Sequence, residues 1–130
     1  MSLARLQSRA PDSLDAPLVS VEIHLSGGLP SFTIVGLPEV AVWESRERVR
    51  SALINFGFYF PARRITANLA PADIPKQGGR FDLPIALGIL AASGQIKPVA
   101  TDLPGEYLGE LVRAAKLDSA SQRFLEAAVR

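Results

Sequence analysis

The stretch that decides the fold is Asn68-Leu-Ala-Pro-Ala-Asp-Ile-Pro-Lys-Gln-Gly-Gly-Arg-Phe-Asp-Leu-Pro-Ile-Ala-Leu-Gly-Ile-Leu-Ala-Ala-Ser93. It opens as the end of a strand. Pro71, Pro75, Gly78 and Gly79 then break every regular period and make a loop. Asp82 stands where a helix N-cap belongs, and Pro84 suits a first helical turn. From 83 to 92 the chain is apolar on nearly every side, so this helix must be buried, against a sheet. The loop therefore holds Asp73, Lys76 and Arg80 beside a rigid scaffold, an arrangement that favours sites. The structural reading is that Asp73 and Asp82 pair with Lys76 or Arg80 and lock the loop. The functional reading is a remnant of a catalytic or ligand-binding loop. Gly78-Gly79 likewise either serves a close-packed turn or lets backbone N–H groups approach an anion.

Working back towards the N-terminus, 64–69 reads as a strand with Ile65, Ala67 and Leu69 inward. Residues 19–25 alternate strictly, with Val19, Val21, Ile23 and Leu25 on one side and Ser20, Glu22 and His24 on the other. Ser26-Gly-Gly28 supplies a turn, and 31–35 is a second strand expected to pair antiparallel with the first. Gly36-Leu-Pro38 stops that strand, and a helix is expected from there to Phe56, ended by Gly57. Val42, Val49, Leu53 and Phe56 form its apolar stripe; Glu44 and Arg48 pair on its wet side. Trp43 sits at the margin, as a core-edge plug or an interface residue. Past the buried helix, Gly94 is a stop, 106–111 reads as a strand, and Asp118 caps a last helix with Phe124, Leu125, Ala128 and Val129 inward. The order β-β-α-β-loop-α-β-α predicts an α+β domain, a mixed sheet with helices packed on one face.

With 130 residues the chain is expected to form one domain and to bury a sizeable core without a staple. It has no Cys, which removes disulfides, thiolate zinc sites and cysteine nucleophiles together. No apolar run is long enough to span a membrane and no signal peptide is evident, so a cytoplasmic location is expected. Net charge is only +1 and names no partner. Between positions 40 and 80, however, Arg46, Arg48, Arg50, Arg63, Arg64, Lys76 and Arg80 face only Glu44, Glu47 and Asp73. That basic bias is either a polyanion face or an ordinary solvated surface.

The chemistry is sparse. His24 is the single histidine and lies on the polar side of a strand, so no metal site is expected. Gln77-Gly-Gly-Arg80 lacks the spacing and the Lys-Ser/Thr end of a phosphate loop, so the chain should not hydrolyse a nucleotide by itself.

Several segments together resemble the N-terminal domain of the ComM/YifB group of magnesium-chelatase-like AAA+ ATPases. They are Ala16-Pro-Leu-Val-Ser-Val-Glu-Ile-His-Leu25, Phe32-Thr-Ile-Val-Gly-Leu-Pro38, Arg46-Glu-Arg-Val-Arg-Ser-Ala-Leu-Ile54, Phe60-Pro-Ala-Arg-Arg-Ile65, Asn68-Leu-Ala-Pro-Ala-Asp73 and Lys76-Gln-Gly-Gly-Arg-Phe-Asp-Leu-Pro-Ile-Ala-Leu87. The resemblance covers residues 1–111; residues 112–130 read as a separate amphipathic helical segment, and the chain as a fragment or shortened relative. It implies a Lon-protease-like, ribosomal-protein-type β-α-β domain. In Lon proteases the matching loop delivers a nucleophilic Ser at a helix N-terminus, and here Arg80 takes that place. A guanidinium stays protonated and cannot attack a carbonyl. No catalytic residue and no peptidase activity are therefore expected.

What the resemblance implies about function is a non-catalytic domain of a DNA-processing ATPase active in natural transformation and branch migration. It would touch DNA without sequence preference or help assembly, with Arg46, Arg50, Arg63, Arg64, Lys76 and Arg80 as candidate phosphate contacts. ATP and Mg would enter only through an AAA+ module outside this chain, and that module or a second copy would be the protein partner. Two other readings stand beside it. One is a protein-interaction domain using Trp43, Phe58, Tyr59 and Phe60. The other is a magnesium-chelatase-like subunit acting on a porphyrin, which the fold label invites but no carboxylate cluster supports.

Overall fold

A computed structural model describes residues 2–10, 16–76, 78–97 and 102–111. Among the described residues a five-stranded mixed sheet carries two helices, which makes the fold α+β. The strands are β1 (Ser2–Arg9), β2 (Leu18–Ser26), β3 (Ser31–Val35), β4 (Arg64–Ala70) and β5 (Asp102–Glu106), in the order β3-β4-β2-β1-β5. Helix α1 (Glu39–Asn55) connects β3 to β4, and α2 (Asp82–Ala92) follows a single 3₁₀ turn at Gly78–Phe81.

The alternating side chains of three strands converge on one face. Ala4 and Leu6 of β1, Val19, Val21, Ile23 and Leu25 of β2, and Ile65, Ala67 and Leu69 of β4 are all buried there. Helix α2 lies over β1 and β2 on that face, with Ile85, Leu87, Ile89 and Leu90 buried. Because α2 also carries α1 along its flank, it is enclosed on all sides, which explains its unbroken apolar sequence. Gly88 permits the approach: a Cβ there would run into Ile23 Cγ1 and come within 3.0 Å of Leu6 Cδ1.

The sheet corrects the expected pairing of β3. It runs opposite to β2, but β4 lies between them: β2 pairs antiparallel with β4, and β3 pairs parallel with β4. A parallel neighbour needs a crossover, and α1 supplies it. Strand β1 is an addition to the expected elements. Its register with β2 runs from Ser2 opposite Leu25 to Arg9 opposite Leu18. The last strand is displaced from 106–111 to Asp102–Glu106, parallel to β1. Residues 107–111 instead run on as irregular chain, with Tyr107 N–H donating to Gln7 O at 2.9 Å. The amphipathic helix expected beyond Asp118 lies outside the described residues.

Two local expectations also change. Asp82 is not a cap of its own helix: Phe81 occupies the N-cap position, and no side chain caps α2. Leu83 N–H, one of the donors that a helix start leaves unsatisfied, is taken by Gly109 O at 3.0 Å. Trp43 plugs no core edge; it is 56% exposed on the outer side of α1, near Val40 at 71%.

Candidate functional site

The six basic candidates fall at opposite ends of β4. Arg63 and Arg64 stand at its start, and Lys76 and Arg80 beyond its end. Seven residues of strand separate the groups by about 20 Å.

At the first end, α1 returns antiparallel past the start of β3 and lays its arginines over it. Arg46 donates from NH1 to the Phe32 carbonyl at 3.0 Å, holding the sheet's edge strand. One turn on, the Arg50 guanidinium lies over the Phe60 ring, 5.1 Å from its centroid. Phe60 packs in turn on Phe32, with ring centroids 5.5 Å apart and planes tilted by 47°. Together these residues form a pocket of about 220 Å³, lined by Pro30, Ser31, Phe32, Arg50, Phe60, Pro61, Ala62 and Arg63. The lining holds two guanidinium-bearing side chains and no carboxylate. Arg64 lies just outside, on the exposed side of β4, with its guanidinium against Gly28.

At the other end the loop is held by its own charges. Lys76 is only 7% exposed, and its ammonium donates to Pro71 O at 2.6 Å and Ile74 O at 3.0 Å. Burial lowers its pKa, and the nearby Asp73 carboxylate partly offsets that. The ammonium therefore closes the loop on itself. Arg80 is exposed on the following 3₁₀ turn.

Asp82 forms the centre of a polar cluster that local sequence reading did not reveal. It is fully buried. Arg48 donates to it from Nε at 2.5 Å and from NH2 at 3.3 Å, Ser45 Oγ at 2.6 Å, and Leu111 N–H at 3.2 Å. Arg48 also lies 3.5 Å from Glu44, the expected helix pair, but its side chain turns inward rather than to the wet side. Glu110 approaches Arg48 at 3.9 Å and lies against Gly79. Arg48 has its pKa raised, chiefly by its hydrogen bonds to Asp82. The Asp82 pKa is also raised, because loss of water around the carboxylate outweighs its donors. Full enclosure of Asp82 is what sets that upward direction. The cluster ties α1, the start of α2 and the chain after β5 to one carboxylate. Only the long separations 45 to 82, 48 to 82 and 82 to 111 bring it together, which explains why no short motif announces it.

Among the described residues, no three His, Asp or Glu side chains converge in a way that would hold a metal ion. No described helix is long and apolar enough to cross a membrane.

The family model for subunit ChlI of Mg-chelatase matches residues 21–129. The chain belongs to this ChlI family. Among its relatives, competence protein ComM of Haemophilus influenzae is 66% identical over 118 residues, 90% of this chain and 23% of the relative. YifB of Salmonella typhimurium is 54% identical over the same share of each chain. A Mycobacterium tuberculosis relative is 43% identical over 98 residues, 75% of this chain and 19% of its own. The ComM/YifB resemblance seen in the motifs is thus shown, and the chain spans about a quarter of the length of these relatives. The ChlI match includes both polar clusters: the Arg50–Arg63 pocket and the Asp82 network lie wholly inside it.

Proposed function

We propose that this ChlI-family domain is a non-catalytic, Lon-protease-like scaffold that contacts DNA for an AAA+ ATPase of the ComM type. The observation that carries the reading is the pocket at the start of β3 and β4. It brings Arg50 and Arg63 together with no carboxylate in its lining, and Arg46 holds the carbonyl of Phe32, one of the lining residues. Phosphate is the natural ligand of such a guanidinium pair. The ComM relative is named a competence protein. Arg64 and Arg80 extend the contact along the molecule, and Lys76 keeps the loop shape rather than meeting the ligand.

A salt titration of duplex DNA binding tests this. Phosphate contacts make affinity fall steeply between roughly 50 and 200 mM salt. Affinity that stays level across that interval would remove phosphate contact from the reading.

A second reading rests on α1. Val40, Trp43 and Ile54 are exposed on it, an apolar set that suits assembly with another protein surface. Sedimentation of the wild type and Trp43→Ala separates the readings. Assembly predicts a self-associating wild type and a lighter variant; a monomer indifferent to the change would leave DNA contact alone.

A further inference from the structure

We propose that the pocket between β3, α1 and the 60–63 segment takes a single unpaired base of a DNA strand, stacked on the Arg50 guanidinium. This deepens the DNA-contact reading and rests on it.

The walls decide the ligand. An isolated phosphate would use Arg50 and Arg63 but has no use for the Phe32 and Phe60 rings or for Pro30 and Pro61. An apolar protein side chain would use the rings but leave two cations facing it. A nucleotide uses both, since its base is a flat apolar surface and its phosphate is an anion. Flat guanidinium and aromatic faces are what bases stack on when a strand is single.

Phe60 holds the Arg50 guanidinium in place from below, at 5.1 Å, and Phe32 supports Phe60. The planar cation is thus pre-positioned and loses little freedom on stacking. Arg63 lines the same pocket and reaches the adjoining phosphate. Volume sets the limit: about 220 Å³ falls below the roughly 300–1,000 Å³ of pockets for whole small molecules, so one ring enters and a base pair does not. Ser31 is the one hydroxyl in the lining, and its backbone N–H is already given to Arg63 O at 3.3 Å. With so few groups to read base edges, the pocket accepts any base.

The test compares three probes on the purified 130-residue chain. They are oligo(dT), an abasic strand of equal length and a duplex, each at fixed salt. Arg50→Lys keeps the charge and removes the plane. It is expected to weaken oligo(dT) binding by about fivefold or more, while abasic and duplex binding stay within about twofold. Phe60→Leu, checked by circular dichroism for retained fold, should show the same selectivity. An equal loss on all three probes, or no loss on oligo(dT), would overturn the stacking pocket while leaving phosphate contact intact. Absence of binding to every probe would overturn the DNA-contact reading itself, and the pocket with it.

Discussion

At Asp82 a buried carboxylate is kept by partners that come from far along the chain. Removing Arg48 would leave that carboxylate enclosed with only the Ser45 hydroxyl and the Leu111 N–H as donors. Breaking one side of a buried ion pair costs about 3–5 kcal/mol. Arg48→Ala is therefore expected to destabilise the domain by about that amount, a large share of the roughly 5–15 kcal/mol available to a domain. Urea unfolding measures it, and a loss below about 1 kcal/mol would show that solvent reaches Asp82. The pH dependence follows from the direction of the Asp82 shift. Its folded pKa lies above the ordinary 3.8, chiefly through burial. The folded state thus holds this proton where the unfolded chain has released it. The contribution is present at low pH and is lost as pH rises from 3.8 through the raised folded value. Against Asp82→Asn, which lacks the proton, the wild type should lose relative stability over that window; a wild type that gains would reverse the direction. The sequence shows Asp82 beside a helix start, which reads as a cap, because local spacing is all that such reading sees. Its real partners depend on how α1 is laid against α2.

At the scale of elements, the buried helix is set by a tight fit. Gly88→Ala adds helix propensity worth about 1 kcal/mol. It also forces a methyl group into Ile23 and Leu6, both fully buried in neighbouring strands. Overpacking of a filled core costs about 1–3 kcal/mol. The clash is with the stem of Ile23 rather than a free side-chain tip, so it wins, and Gly88→Ala should lower the thermal midpoint. Ile23→Ala makes room, and the double variant should recover part of the loss when the four proteins are compared as a cycle. The elements that were legible share one property. Strict alternation marks β2 and β4, and an uninterrupted apolar run marks α2. Strand β1 alternates as well, but two of the three buried positions in its inward row are Ala4 and Ser8, too small or polar to register as a core face beside Leu6. Strand β3 was visible as a strand, whereas its neighbour was not, since a pairing made through a crossover leaves no local trace. The pocket was hidden for a similar reason: the aromatic connector and the basic residues are both plain in the sequence, but only the return of α1 sets Arg50 over Phe60.

Over the whole molecule, the order β3-β4-β2-β1-β5 separates the basic residues into a pocket at one end of β4 and a self-closed loop at the other. Equal charge at the two ends therefore does not mean equal roles. Each phosphate contact contributes about 0.9 to the slope of log affinity against log salt on duplex DNA. Arg50→Ala with Arg63→Ala should thus reduce that slope by about 2 and weaken binding at low salt. Lys76→Ala removes the same formal charge per residue, but its ammonium is spent on Pro71 O and Ile74 O. It should leave the slope unchanged and lower thermal stability instead, as the loop loses two charge-assisted hydrogen bonds worth about 1.5–3 kcal/mol each at most. The two measurements cross: slope without stability for the pocket pair, stability without slope for the lysine. Equal slope changes from both would mean that binding follows the overall field of the basic middle segment, and that the geometry of the pocket plays no part in it.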